Sequence, residues 1–201
     1  MDPGRTRPGQ VRLMGSRHRG GTVSSVDHSG QPTLGGSGEI VDLVDEDDLV
    51  IGRAPRREVR ARNLLHREVA AIVRNSAGQI YVHRRTESKD VFPGMYDMFV
   101  AGMVAAGESF EDAIRRELAE ELGIQDCTPA FLFKSRYRDP DVDCWSCTYR
   151  VEWDGPIRPQ KEEIAWGGFL SEPDLIAKLE EWPFVPDGLV AFKRYLEERG
   201  P

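Results

Sequence analysis

The sequence predicts a mixed α/β domain of the helix-on-sheet type. Three observations carry that expectation. Short runs rich in β-branched and aromatic residues, separated by turn residues, occupy residues 40–104 and 130–170. One strongly charged amphipathic helix, residues 109–122, lies between them. Two further helical runs close the chain.

The elements follow in order. "EIVDLVD" and "DLVIGRA" flank an acidic turn and read as a small hairpin. "REVRARNLLH" forms a short helix after Pro55. "REVAAIVRNSAGQIYVHRR" is two strands around an Asn-Ser-Ala-Gly turn. "KDVFPGMYDMFVAGMV" makes a Pro-Gly turn and then one strand running into Gly102. "AFLFKSRYR" and "DCWSCTYRVEW" are antiparallel strands joined by "DPDV", and "EIAWGGFLS" is another strand. "EPDLIAKLEEW" and "PDGLVAFKRYLEER" are helices, the first capped by Ser171. No internal repeat is visible.

The chain has 201 residues and 39% hydrophobic content, enough for one core. Residues 1–39 differ: five arginines sit among Gly, Pro, Ser and Thr with few large apolar residues. Such a segment cannot bury enough surface to offset its ordering entropy, so it reads as a disordered tail. Its Gly and Pro content spoils the amphipathic helix of an organelle leader. The domain is then residues 40–201. It carries 22 basic and 31 acidic residues, a net charge of about −9. That balance excludes a general nucleic-acid binder. No apolar run reaches the roughly 18 residues of a membrane span. Three cysteines argue against a disulfide framework and for a reducing, cytoplasmic setting.

The charged helix holds the chemistry. Ser109 caps it, Glu111 and Asp112 suit its positive end, and Gly123 suits a left-handed stop. Ile114, Leu118 and Leu122 form the core stripe. Glu117, Glu120 and Glu121, related by i, i+3 and i+4, form an adjoining stripe without any lysine. Like charges at that spacing repel. A solvated acidic face is one reading; a divalent-cation site is the other, since Mg²⁺ takes carboxylate oxygens.

Residues 102–124, "GMVAAGESFEDAIRRELAEELGI", resemble the Nudix box, G-x5-E-x7-R-E-U-x-E-E-x-G-U with U aliphatic. Gly102, Glu108, Arg116, Glu117, Leu118, Glu120, Glu121, Gly123 and Ile124 all match. The resemblance implies the Nudix fold, a mixed sheet sandwiched between helices, over about residues 40–199. It implies Mg²⁺- or Mn²⁺-dependent hydrolysis of a pyrophosphate bond in a nucleoside diphosphate linked to another moiety, or a related polyphosphate. By the same resemblance Glu117, Glu120 and Glu121, with Glu108, hold metal, and one of these glutamates activates water. Arg116 orders the glutamates by ion pairing, Glu120 being one turn away. Gly102 gives close backbone approach, its carbonyl or a neighbour's serving as a ligand.

Segments outside the box are similar to the branch that includes isopentenyl diphosphate isomerases. Phe99 and Val100 stand where an isomerase cysteine would lie, which favours hydrolysis. His66 matches one isomerase histidine, and Asp141 and Asp143 are candidate stand-ins for downstream carboxylates. A non-catalytic nucleotide-sensing module is the further alternative, against which the intact box argues.

Arg84, Arg85 and Arg136 are the candidate phosphate-binding residues. Lys134, Arg136 and Arg138 would share one strand face as a clamp or as a solvated face. Glu162 and Glu163 are candidates for an extra glutamate near the metal. Trp145 and Tyr149 are base-stacking or core residues. Cys144 and Cys147 would point to opposite faces, as structural cysteines rather than a zinc pair. His66 and His83 read as turn or sheet residues. The partner is a small-molecule nucleotide or polyphosphate; a homodimer is left open.

Overall fold

The computed structural model describes Met1 and residues 38–198. The tail expected over residues 1–39 therefore falls almost wholly outside the described residues. The unit from Gly35 onward is treated below.

Its elements are β1 (Ile40–Val44), β2 (Val50–Pro55), α1 (Arg56–Arg62), β3 (His66–Arg74), β4 (Ile80–Arg85), β5 (Tyr96–Asp97), β6 (Val100–Met103), α2 (Phe110–Leu122), β7 (Ala130–Arg138), β8 (Asp143–Glu152), β9 (Ile164–Leu170), α3 (Glu172–Lys178) and α4 (Pro186–Glu198). Each hairpin read from the sequence forms, with β1–β2 and β7–β8 antiparallel. The centre is a parallel pairing of β3 with β8, from His66↔Cys144 to Arg74↔Glu152. Strands buried on both faces are expected in that position, and six of the nine β3 residues, Val69 to Val73 and His66, are apolar or aromatic and buried.

β3 and β4 are hydrogen-bonded only at Arg74↔Ile80 and then part. The chain from Tyr96 to Met103 fills the opening. The single strand expected there is split: β5 pairs with β4, and β6 pairs with β3. The cause is local. Asp97 turns its Oδ1 back to accept the Phe99 N–H at 2.9 Å, which ends β5. The sheet is therefore interrupted between β5 and β6, and residues from both faces meet at that break.

α2 covers one face. Ala113, Ile114, Leu118 and Leu122 are fully buried against Val69, Ala71, Val73, Val100 and Tyr149. α3 and α4 cover the other face through Leu175, Phe192 and Tyr195, packed on Ile72, Val82 and Phe99. A mixed sheet lies between helices, as the sequence predicts. Cys147 packs on the α2 side, while Cys144 lines the α4 side beside Glu68. Among the described residues no helix is long and apolar enough to cross a membrane.

Candidate active site

The caps of α2 set the site. The Ser109 hydroxyl accepts the Asp112 N–H at 3.1 Å, and Gly123 ends the helix at φ 67°. Between them the helix presents Glu117 and Glu121, both buried, and the more exposed Glu120. The acidic stripe is thus not a solvated face: two of its three carboxylates are turned into the protein.

Gly102 is what lets Glu117 lie there. A Cβ at Gly102 would stand 2.6 Å from Glu117 Oε2 and closer still to its Oε1 and Cδ. β6 and α2 approach through the absent side chain. Arg116 fixes the same carboxylate from the other direction. Its Nη1 donates to Glu117 Oε1 at 2.6 Å, and its Nε and Nη2 form a fork onto Glu108, each at 2.9 Å. Nη2 also donates to the Met103 carbonyl at 3.0 Å. Glu108 Oε2 accepts the Ala105 N–H at 3.0 Å, which pins the loop before the helix. The Glu120 contact expected of Arg116 is the weakest of the set, at 3.5 Å.

The electrostatics follow from burial. Desolvation, then Glu121, raises the Glu117 carboxyl to about 7, against the pull of Arg116. Desolvation also raises Glu121, with Lys89 and Arg85 opposing it. Lys89 reaches the site from the loop after β4 and pairs with Glu163. Burial, then Arg85, lowers the Lys89 amine. Among the described residues no three of His, Cys, Asp and Glu form a ready-made metal cage. The carboxylates are supplied, with Arg116 as present partner of two of them.

The arginines sort by face. Arg85 acts on Glu121, while its Nη2 donates to the Val91 carbonyl at 3.0 Å. Arg84 points the other way, bonded to the Gly94 carbonyl at 2.9 Å and to Glu87. Arg136 is not brought to the stripe. It pairs with Asp143, donates to the Tyr137 and Cys144 carbonyls, and lies over the Trp145 ring. Lys134, Arg136 and Arg138 do share a strand face, but acids occupy all three. Lys134 pairs with Asp48; Arg138 pairs with Asp143 at 3.0 Å and Glu46 at 2.7 Å. An open phosphate clamp is replaced by a neutralised ladder. Asp143 is consumed there too. Tyr149 is core, and the Trp145 indole N–H donates to the Asp45 carbonyl at 3.3 Å.

His66 is buried, with Nδ1 against the Leu64 carbonyl and Nε2 against Glu68. His83 is buried, and desolvation, then Arg85 and Lys89, pushes its imidazole down to about 3, so it is neutral. Of the paired glutamates, Glu163 reaches Lys89, whereas Glu162 offers its backbone carbonyl to Thr86. Sequence reasoning missed Lys89 and Asp97. Neither lies in a motif; only chain crossings bring them near the stripe.

A charged helix on a splayed mixed sheet, with its glutamates set by a glycine and an arginine, defines a class, and comparison with known proteins agrees. Residues 64–189 match the NUDIX domain family, and the chain belongs to that family. It is 51% identical over 164 residues to an uncharacterized Nudix hydrolase, SCO1686, of Streptomyces coelicolor, covering 81% of this chain and 91% of that one. It is 38% identical over 159 residues to another, PA4841, of Pseudomonas aeruginosa, covering 79% and 94%. The crystal structure of DR0079 from Deinococcus radiodurans superposes with a TM-score of 0.68 at 30% identity, over 78% of this chain and 98% of that one. The curated relatives named here are Nudix hydrolases; the likeness to isopentenyl diphosphate isomerases finds no support among them.

Proposed function

We propose that the chain is a divalent-metal-dependent pyrophosphohydrolase, cutting the anhydride of a nucleoside diphosphate joined to another moiety, or of a related polyphosphate. The observation that carries the reading is the burial of Glu117 and Glu121, one helical turn apart, with the β6 backbone pressed against Glu117 at Gly102. Two buried carboxylates in mutual repulsion hold protons tightly, and a cation that replaces those protons relieves the repulsion.

The donor set fits Mg²⁺ or Mn²⁺, hard ions that take oxygen ligands. Glu117, Glu120 and Glu121 would hold the metal, with a backbone carbonyl near Gly102. When bound, the ion supplies charge to the phosphate oxygens and acidifies water. The chain's own residues do the rest. Arg116 holds Glu117 in place, and its fork occupies both Glu108 oxygens, so Glu108 braces rather than acting as the base. Glu120, exposed and loosely held, is the carboxylate open to take a proton from water. Arg85 and Lys89 favour the ionised form of Glu121, and Arg85 is the candidate phosphate contact among the three arginines. Glu163 pairs with Lys89, whose charge acts on Glu121, and through it would tune the site.

Isomerisation is disfavoured because Phe99 and Val100 are buried apolar residues with no proton to give an alkene. The test is a screen of nucleoside diphosphates and triphosphates, sugar nucleotides, dinucleoside polyphosphates and isopentenyl diphosphate, with Mg²⁺, Mn²⁺ or excess chelator. Hydrolysis should need metal. Full turnover in chelator would sink the reading, and dimethylallyl diphosphate above a no-enzyme control would favour the isomerase.

A further inference from the structure

Where α1 meets the loop between β4 and β5, cations converge on one carboxylate. Arg56 and Arg60, one turn apart on α1, share a helix face. Arg56 Nη1 lies 3.2 Å from the Asp90 carboxylate, and Arg60 and Lys89 also act on that group. Against the burial that raises it, these three cations lower the Asp90 carboxyl. Such a cluster stands out in a domain whose net charge is about −9.

The partners of these cations leave several donors unused. Arg60 Nη2 donates to Glu68 at 3.2 Å, but its Nε and Nη1 are buried without a hydrogen-bond partner. Arg85 Nε is buried and unpartnered too, although its Nη2 donates to the Val91 carbonyl. Besides Asp90, the Arg56 side chain has only Glu39, at 3.9 Å, among the described residues. Lys89 is held by Glu163. Each unsatisfied buried donor in a native protein calls for an explanation. The part-exposed Arg56–Asp90 pair does not supply one, since such pairs contribute little to stability.

Resting on the hydrolase reading, we propose that Asp90 is the resident occupant of a seat for a phosphate group of the substrate, between Arg56 and Arg60. A phosphate carries more charge than a carboxylate and more acceptor oxygens, so it can serve guanidinium N–H groups that Asp90 leaves unpaired. The neighbouring residue, Lys89, acts on Glu121, so the seat adjoins the carboxylates of α2. The phosphate it takes is one outside the anhydride engaged at those carboxylates. That favours a substrate with a further phosphate, such as a nucleoside triphosphate.

The loop is built to give up the seat. The backbone bonds made within it are long: Lys89 N–H to the Thr86 carbonyl at 3.4 Å, Gly94 N–H to the same carbonyl at 3.2 Å, and Met95 N–H to Phe92 at 3.5 Å. Arg84 and Arg85 hold it at the Gly94 and Val91 carbonyls, through flexible side chains. Phe92 stands at φ 52° immediately before Pro93, a left-handed conformation that a bulky residue rarely adopts. Strain of that kind gathers at ligand clamps and switch segments. Displacing the loop withdraws Asp90 and opens the buried Arg60 nitrogens to the incoming phosphate.

The test is metal-free, so it does not depend on catalysis. Phosphorus NMR titrations of the full chain in chelator use inorganic pyrophosphate and ATP as probes. Asp90→Asn should bind each about fivefold or more tightly than the parent, because the resident competitor is gone. Adding Arg56→Gln to that variant should abolish the gain. Glu87→Gln makes the same charge change on the same loop, but beside Arg84, and should shift affinity by less than about twofold. Circular dichroism checks the fold of each variant. Binding by Asp90→Asn no tighter than by Glu87→Gln overturns the inference, and so does a gain that survives Arg56→Gln. A gain for pyrophosphate that ATP does not share would make this a seat for free pyrophosphate and overturn its assignment to substrate. The gain in a chain that hydrolyses nothing would defeat only the hydrolase reading. Hydrolysis without the gain would defeat only this one.

Discussion

Gly102→Ala asks whether β6 sets the position of Glu117. The added Cβ would lie 2.6 Å from Glu117 Oε2, and nearer to Oε1, against an ordinary contact of 3.4–4 Å. The carboxylate must retreat by about 1 Å. It is the far end of a flexible side chain, so α2 need not move, and Ile114, Leu118 and Leu122 keep their packing. What is lost is the 2.6 Å bond from Arg116 Nη1. A hydrogen bond between charged groups contributes about 1.5–3 kcal/mol, and relief of Glu117 burial offsets part of that. A net loss of about 1–2 kcal/mol lowers Tm by about 2–8 °C in a domain of this size. The effect on turnover should be far larger, because a displacement of about 1 Å in a positioned group costs on the order of 100-fold. The assay is metal-dependent hydrolysis of the best screened substrate, alongside thermal melts with and without Mg²⁺. Turnover within about threefold of the parent, with unchanged Mg²⁺ stabilisation, would refute the argument that this glycine places Glu117.

Three further outcomes are expected. Arg116→Lys keeps the charge but loses the fork onto Glu108, so turnover should fall by about tenfold or more with the fold intact by circular dichroism. Ser109→Ala removes the cap on the Asp112 amide and should cost about 1 kcal/mol in urea unfolding, with little change in turnover per folded molecule. The metal-free chain should be less stable at pH 9 than at pH 6. Glu117 titrates near 7 in the fold and 4.5 by its ordinary value, and Asp97 near 8 against 3.8. Both are raised, so their contribution is fully present below the ordinary value and is lost as pH rises through the folded one. For Glu117 alone the part of that loss lying above pH 6 is at most about 1.4 kcal/mol, one pH unit's worth. Unfolding midpoints that rise from pH 6 to pH 9 would contradict the burial argument.

Local chemistry was legible and chain crossings were not. Ser109, Gly123 and the Ile114–Leu118–Leu122 stripe read α2 correctly because caps and periodicity act within a few residues. The shared face of Lys134, Arg136 and Arg138 was legible for the same reason. Their pairing with Asp48, Glu46 and Asp143 was not, since the first two acids arrive from the β1–β2 turn, 86 and 92 positions away for Lys134 and Arg138. The split of β5 from β6 depends on one Asp97 hydrogen bond and on two different partner strands. Lys89 and Asp97 carry no pattern at all. The glutamates of the box could be named from spacing, yet which two are buried depends on β6 passing beneath α2 at Gly102.

Glu121→Gln tests the central claim most directly. The change removes one buried charge while nearly keeping shape. Melts of parent and variant in chelator and in saturating Mg²⁺, paired with a pyrophosphatase assay, separate the alternatives. In chelator the variant should be as stable as the parent or more so, because repulsion with Glu117 falls. In Mg²⁺ the parent should gain stability by mass action and the variant much less, and turnover should drop by orders of magnitude. Equal Mg²⁺ stabilisation and equal turnover in the two proteins would mean that the acidic stripe of α2 does not hold the metal.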